Sequence, residues 1–189
     1  LGHVLHLVED SSVPDHTRND AHPPFDDGGS PYENWTKKFD LKNPDKDLKS
    51  RLVSKKPLLF ADLNGYFNSM AKYSNNNFYS RDSISEFTLP VADYRKNDGR
   101  YIYGYKIDNE NGDYRLVAYL GDPSLHWSDD MDSTLSDKQG SLVLSDYWSR
   151  LSPKAIQHGA GVIDLFFDEA EVAKQNLARE KSGRPYLGM

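Results

Sequence analysis

Four of the six histidines in this chain, His3, His6, His16 and His22, fall in its opening stretch, where Asp10, Asp15, Asp20 and Glu33 also stand. No other part of the sequence gathers so many side chains able to hold a metal ion. The remainder therefore reads as a helical body that positions them. LGHVLHLVED has helical periodicity from its first residue: Leu1, Leu5 and Val8 share an apolar side that Val4 widens. His3, His6 and Asp10 fall at i, i+3 and i+7, on one face of that helix. Pro14 disfavours helix at Val13, so the helix is expected to end near Ser11–Ser12. Residues 15–29 read as a loop, punctuated by Pro23-Pro24 and Asp26-Asp27-Gly28-Gly29.

Ser30-Pro31-Tyr32-Glu33 is a helix start: serine as N-cap, proline in the first helical position, glutamate completing a capping box. This helix is expected to reach about Leu41, followed by a charged connection over residues 42–50. A third helix is expected from Leu58 to about Ser74, with Leu59, Leu63, Phe67, Met70 and Ala71 as its core stripe. Gly65 costs such a helix roughly 1 kcal/mol relative to alanine, and close packing would explain its presence. Residues 100–107 and 113–120 alternate with strand periodicity around an Asn-Gly turn, which predicts a β-hairpin. Its tyrosines are expected to pack across the strands, with substrate stacking as the less common alternative. A polar loop covers residues 121–140. One helix is then expected over residues 141–151 and a second, capped by Ser152-Pro153, from there to about Arg179. Its predicted core stripe is Ile156, Gly159, Ala160, Ile163 and Phe167.

His6 and Asp10, four apart on a helix, can reach one metal ion from adjacent turns, and His16 can bind the same or a neighbouring ion from the following loop. The chain has no cysteine, so such a site would use nitrogen and oxygen ligands, a set that suits zinc. Two or three ions close together suit phosphoester hydrolysis, by activating water and clamping the transferring phosphate. On spacing alone, a surface ion pair is the alternative reading of His6 and Asp10. The formal net charge of −6 argues against a general nucleic-acid-binding surface, without excluding a nuclease whose metals supply the positive charge.

Leu1, Gly2, Leu5, His6, Asp10, Pro14, His16 and Asn19 fit the pattern LGxxLHxxxDxxxPxHxxN. With it, the opening stretch resembles the zinc-dependent phospholipase C family, whose superfamily also holds the fungal single-strand nucleases. The resemblance implies His6, Asp10 and His16 as zinc ligands, with Asp10 bridging ions. The family also carries a His-xxx-Glu pair at the start of the next helix. Glu33 matches its glutamate, but Gly29 stands where the histidine would be. His22 is the expected substitute ligand, an exposed loop histidine being the alternative. Glu33 likewise has its capping role as an alternative. The family's remaining ligands, including the aspartate thought to act as base, precede the matching helix. The chain is thus expected to be the C-terminal portion of a longer protein, holding part of a two- or three-zinc cluster. By itself it is expected to be inactive or weakly active, the longer parent being active. FNSMAKYSNNNFYSRDSI and DYWSRLSPKAIQHGAGVIDLFF extend a fainter likeness over most of the sequence.

The expected fold is mainly α: a multi-helix phospholipase C/nuclease-like domain over residues 1–180, with a β-hairpin inserted around 100–120 and a flexible tail at 181–189. The expected function is hydrolysis of a phosphodiester by zinc-activated water, with a phospholipid as first substrate. A single-strand nuclease is the enzyme rival and would need aromatic stacking platforms near the site. A non-catalytic helical binding module that has lost part of the cluster is the rival from another class. Arg18 would either bind the substrate phosphate bidentately or pair with Asp15 or Asp20. Resemblance implies a secreted or periplasmic location. No apolar run approaches the ~20 residues that span a bilayer. His3 is expected to be exposed, His126 to lie in a solvated loop, and His158 to be a hydrogen-bonded core residue.

Overall fold

The computed structural model describes residues 1–20, 29–39, 42, 45–80, 88–98, 101–120 and 140–183, with backbone alone at 119, 120, 140 and 141. Helices α1 (Gly2–Asp10), α2 (Pro14–Thr17), α3 (Pro31–Thr36), α4 (Lys46–Leu52) and α5 (Leu63–Asn77) lead into strands β1 (Tyr94–Asn97), β2 (Tyr101–Lys106) and β3 (Tyr114–Leu120). Helix α6 (Gly140–Lys181) follows. The three strands form one antiparallel sheet in the order β1-β2-β3. Helix α6 packs on β3 and also meets α1, α3, α4 and α5. None of the described helices is long and apolar enough to cross a membrane.

The expectation of a mainly α fold with an inserted hairpin is corrected by this sheet. Of the 15 buried residues that form the larger core among the described residues, six come from the strands: Tyr101, Tyr103, Tyr114, Leu116, Val117 and Ala118. A hairpin laid on a finished helical body would not supply that share of the interior. The fold is mixed α and β. Strand β1 escapes sequence reading because it is a short, charged edge strand, Tyr94-Arg95-Lys96-Asn97, with no apolar alternation. It is held by its ladder to β2 and by the stacked rings of Tyr94 and Tyr105, 5.1 Å apart. The predicted hairpin is present. Asp108 accepts from the backbone N–H groups of Glu110 and Asn111, and Gly112 takes a φ of 81°. The sheet has a bulge: Gly104 faces Val117 but Tyr105 faces Arg115, leaving Leu116 unmatched. Tyr147 on α6 donates to the Leu116 carbonyl at 2.7 Å and accepts from the Tyr79 N–H at 3.1 Å. The bulge therefore keeps a satisfied backbone inside the core.

The second correction concerns α6. Two helices were expected on either side of Ser152-Pro153, yet Pro153 lies inside one continuous helix of 42 residues. Proline in a helix interior costs about 3 kcal/mol. Here the Ser152 hydroxyl donates to the Trp148 carbonyl at 2.6 Å, and Leu151, Ser152 and Pro153 are all buried. Packing on both flanks offsets the lost hydrogen bond. Because the helix is continuous, its buried stripe continues from Val143, Leu144, Tyr147 and Leu151 to His158 and Val162. Of the predicted stripe Gly159 is buried, as is Val162 beside it, whereas Ile156, Ile163 and Phe167 are exposed.

Smaller differences follow from capping. Helix α3 ends at Thr36 rather than near Leu41. Within the supposed connection at 42–50, Asp45 caps α4 by accepting from the Asp47 N–H. Helix α5 starts at Leu63, where the Asp62 carboxylate accepts from the Gly65 N–H at 2.8 Å. Before it, the chain lies against α6, with the Leu58 N–H donating to the Gln157 carbonyl. The two close approaches are both at glycine. A Cβ on Gly65 would sit 2.7 Å from Phe60 Cβ, and one on Gly161 would sit 1.9 Å from the Leu58 carbonyl oxygen. A smaller core joins Val8 of α1, Tyr66 of α5 and Val162 of α6, so that α1 is seated against the centre of the molecule.

Candidate functional site

Helix α1 carries His6 and Asp10 one turn apart, with His6 Nε2 3.6 Å from Asp10 Oδ2. Pro14 then stops α1 and starts the single turn of α2, which carries His16. This turn is fastened to α5. Asn75 donates from its side chain to the Thr17 carbonyl at 2.7 Å, and the Thr17 hydroxyl reaches Ser74 Oγ at 3.2 Å. Ser74 in turn donates to the Ser12 carbonyl. His16 is thereby directed back over the end of α1. Its Nδ1 lies 3.2 Å from the Asp10 carbonyl oxygen and 3.9 Å from Asp10 Oδ1.

A second tie brings α3 to the same place. The Ser30 hydroxyl accepts from the Glu33 N–H at 3.2 Å, capping α3, and donates to Asp15 Oδ2 at 2.8 Å. Asp15 and Ser30 are both buried. One hydroxyl thus couples the start of α3 to the residue beside His16, and Glu33 Oε1 lies 3.7 Å from His16 Nε2. Sequence reasoning treated Ser30 only as a cap, and Asp15 as one of the clustered acids and a partner for Arg18. The buried bond between them has no signature in spacing, because residues 21–28 intervene.

A carbonyl oxygen can only accept, so His16 Nδ1 is the donor to Asp10 and Nε2 is the ring nitrogen that faces Glu33. This is the arrangement that holds a metal-binding imidazole in register, its remote nitrogen anchored to backbone. His6, Asp10, His16 and Glu33 therefore converge, as pairs. Ligand atoms sharing one tetrahedral zinc, at bond lengths of about 2.0–2.2 Å, stand roughly 3.3 Å apart. The His6 Nε2–Asp10 Oδ2 and His16 Nε2–Glu33 Oε1 pairs, at 3.6 and 3.7 Å, are a few tenths of an ångström wider. Among the described residues, no group of three or more His, Cys, Asp or Glu side chains encloses a single point as a metal ion requires. The donor types fit zinc, and the spacing is that of an open arrangement rather than a closed shell.

His6, Asp10 and Glu33 line a cavity of about 470 Å³ whose wall also includes the apolar side chains of Leu48, Trp148 and Ile156. Trp148 is held there by stacking on Phe39 at 4.8 Å and by donating from its indole nitrogen to Asp45 Oδ2. Tyr32 also faces the cavity, and burial raises its phenol far above the ordinary value, so it stays protonated. Sequence reasoning missed this wall. Trp148 reads as a core residue of a helix, and α4, which supplies Leu48, was not foreseen.

The other expected site residues fall elsewhere. His22 lies outside the described residues, as does His126. Arg18 is fully buried, donating from Nη1 to the Asn75 carbonyl at 2.7 Å and from Nη2 to the Thr88 carbonyl at 3.3 Å. Burial lowers its pKa, the tyrosines Tyr147 and Tyr79 opposing that shift. These bonds tie the α2 turn to the region after α5. Gly29 has a φ of 80°, in the left-handed region that L side chains avoid. The absence of a histidine there follows from the backbone that leads into the Ser30 cap. His3 is exposed. His158 is a core residue as expected, with Nδ1 2.7 Å from the Lys154 carbonyl and Nε2 3.1 Å from Ser69 Oγ.

No family model, no curated protein and no solved structure matches the chain. The likeness to the zinc-dependent phospholipase C family rests on the opening motif.

Proposed function

We propose that the cluster of His6, Asp10, His16 and Glu33 binds zinc and serves hydrolysis of a phosphodiester in the adjoining cavity. The observation that carries this reading is the orientation of His16: Nδ1 is engaged by the Asp10 carbonyl, so Nε2 is the nitrogen offered beside Glu33. The opening motif supports the same ligands. Asp10, one turn from His6, is the carboxylate that the resemblance implies as a bridge between ions. Zinc, when bound, supplies Lewis acidity toward a phosphoryl oxygen and lowers the pKa of water. The chain's own residues orient and shield. The Asp10 carbonyl fixes the His16 ring, the Ser30–Asp15 bond fixes Glu33, and the Leu48–Trp148–Ile156 wall receives an apolar part of the substrate and keeps water from it.

A phospholipid is the preferred substrate class. The hairpin tyrosines Tyr101, Tyr103 and Tyr114 are buried in the core and do not line the cavity, so they offer no stacking platform to a single strand. One observation favours a second reading, a binding module without turnover: no three-residue metal group closes among the described residues. The two readings separate in a zinc titration followed by calorimetry, together with release of headgroup from phosphatidylcholine vesicles and cleavage of single-stranded DNA. Saturable zinc binding with zinc-dependent headgroup release supports the first reading. Zinc-dependent cleavage of DNA alone moves the substrate to nucleic acid. Absence of zinc binding overturns the proposal and leaves the module.

A further inference from the structure

The two cavities beside α6 lie on opposite faces of the helix. At 100° per residue, Trp148, Ser152 and Ile156 point one way, while Arg150, Pro153, Lys154 and Gln157 point the other. The second cavity, of about 140 Å³, is lined by four cationic side chains: Arg51 and Lys55 from the end of α4 and the turn after it, and Arg150 and Lys154 from α6. Arg150 and Lys154 stand four residues apart on α6, the helical spacing at which like charges repel. A chain with formal net charge −6 has acids enough to pair all four. The only carboxylate in the lining is Glu110, and Asp108 lies behind Arg150 at 3.5 Å from Nε. Among the described residues Arg51, Lys55 and Lys154 take part in no ion pair.

Arg150 gives the cavity a fixed positive floor. It is buried, and its Nη groups donate to the carbonyls of Asp146, Asn111 and Gly112 and to Ser149 Oγ. Those acceptors are neutral and hold the guanidinium in place, while Asp108, 3.5 Å from Nε, offsets part of its charge. Lys154 is steered by the Tyr73 ring, with Nζ 5.4 Å from its centroid. A concave, partly desolvated pocket with four cations against two carboxylates favours an anion of more than one charge, and its volume suits a group no larger than a phosphate.

We propose that this cavity is a phosphate-binding site, taking a phosphoryl dianion through Lys154, Lys55 and Arg51 above the buried charge of Arg150. The site is separate from the histidine-lined cavity and does not depend on zinc there. The shared chemistry admits two sources, inorganic phosphate and the terminal phosphate of a small monoester.

The test is calorimetric titration of the protein with inorganic phosphate and, in a second arm, glycerol phosphate. Both are done in EDTA at constant ionic strength, so that zinc chemistry plays no part. Saturable one-to-one binding is expected at submillimolar to low-millimolar ligand. Lys55→Gln, at an exposed position that leaves folding intact, and Lys154→Gln should each weaken it at least fivefold. The arm with the lower Kd identifies the source. No saturable binding of either ligand, or binding left unchanged by both substitutions, overturns the proposal. Because zinc is absent throughout, failure here leaves the reading of the histidine cluster untouched, and the reverse also holds.

Discussion

His16 stands between Asp10 and Glu33, its Nδ1 3.2 Å from the Asp10 carbonyl oxygen and its Nε2 3.7 Å from Glu33 Oε1. Helix α1, the α2 turn and helix α3 meet at this ring.

Ser30→Ala removes a helix cap and the buried bond to Asp15 together. Cap loss alone costs about 1–2 kcal/mol, and the Asp15 oxygen loses a donor in a buried setting. A destabilisation of about 2 kcal/mol is expected in urea unfolding. Zinc affinity should fall as well, because Glu33 is no longer tied to the His16 turn. An unchanged zinc affinity would show that Glu33 is not a ligand.

Gly29→His tests why the histidine of the family motif is absent. At a φ of 80° a non-glycine residue costs about 1–2 kcal/mol. The variant should be less stable by that amount and bind zinc no more tightly than the parent. A gain in zinc affinity without loss of stability would contradict the account.

How much was legible beforehand follows the same line between local and distant chemistry. The helical pair His6 and Asp10, the Ser30 cap and the β-hairpin are written in short-range spacing, and each is found. What was missed depends on partners far along the chain. Pro153 looks like a helix start until the Ser152 bond and the packing around it are seen. The acceptors of Arg18, the Asn75 and Thr88 carbonyls, lie 57 and 70 residues away, beyond what local spacing can reveal. Strand β1 has no apolar pattern because it is an edge, and without it the sheet read as an insertion.

Gly161→Ala tests the crossing of the 58–60 segment over α6. The new methyl would meet the Leu58 carbonyl oxygen at 1.9 Å, and backbone cannot give way as a side-chain tip would. Overpacking of this kind costs about 1–3 kcal/mol or more. Gly2→Ala, with nothing within 4 Å of the added methyl, is the control and should be neutral or slightly stabilising. Thermal unfolding of the two variants should separate them by several degrees.

His158 makes stability depend on pH. Burial lowers its pKa below the ordinary value; the Lys154 carbonyl hydrogen bond opposes the shift and the Lys154 charge reinforces it. The unfolded chain therefore takes up a proton at His158 before the folded one does. Its contribution is fully present above the unfolded value, about 6.5, and is lost progressively as pH falls below that toward the folded pKa. Urea midpoints measured from pH 7.5 to pH 5 should decline, and His158→Gln should remove part of that decline. Equal slopes in the two proteins would remove His158 as the cause.

The central claim is that the His16 cluster holds zinc, and zinc content after equilibration tests it most directly. The protein is dialysed against micromolar zinc, then against metal-free buffer, and bound zinc is measured by inductively coupled plasma mass spectrometry. The account predicts at least one zinc per chain in the parent protein, and a loss of most of it in His16→Ala and in Asp10→Asn, with both variants folded by circular dichroism. Zinc absent from the parent, or retained in full by His16→Ala, would contradict it.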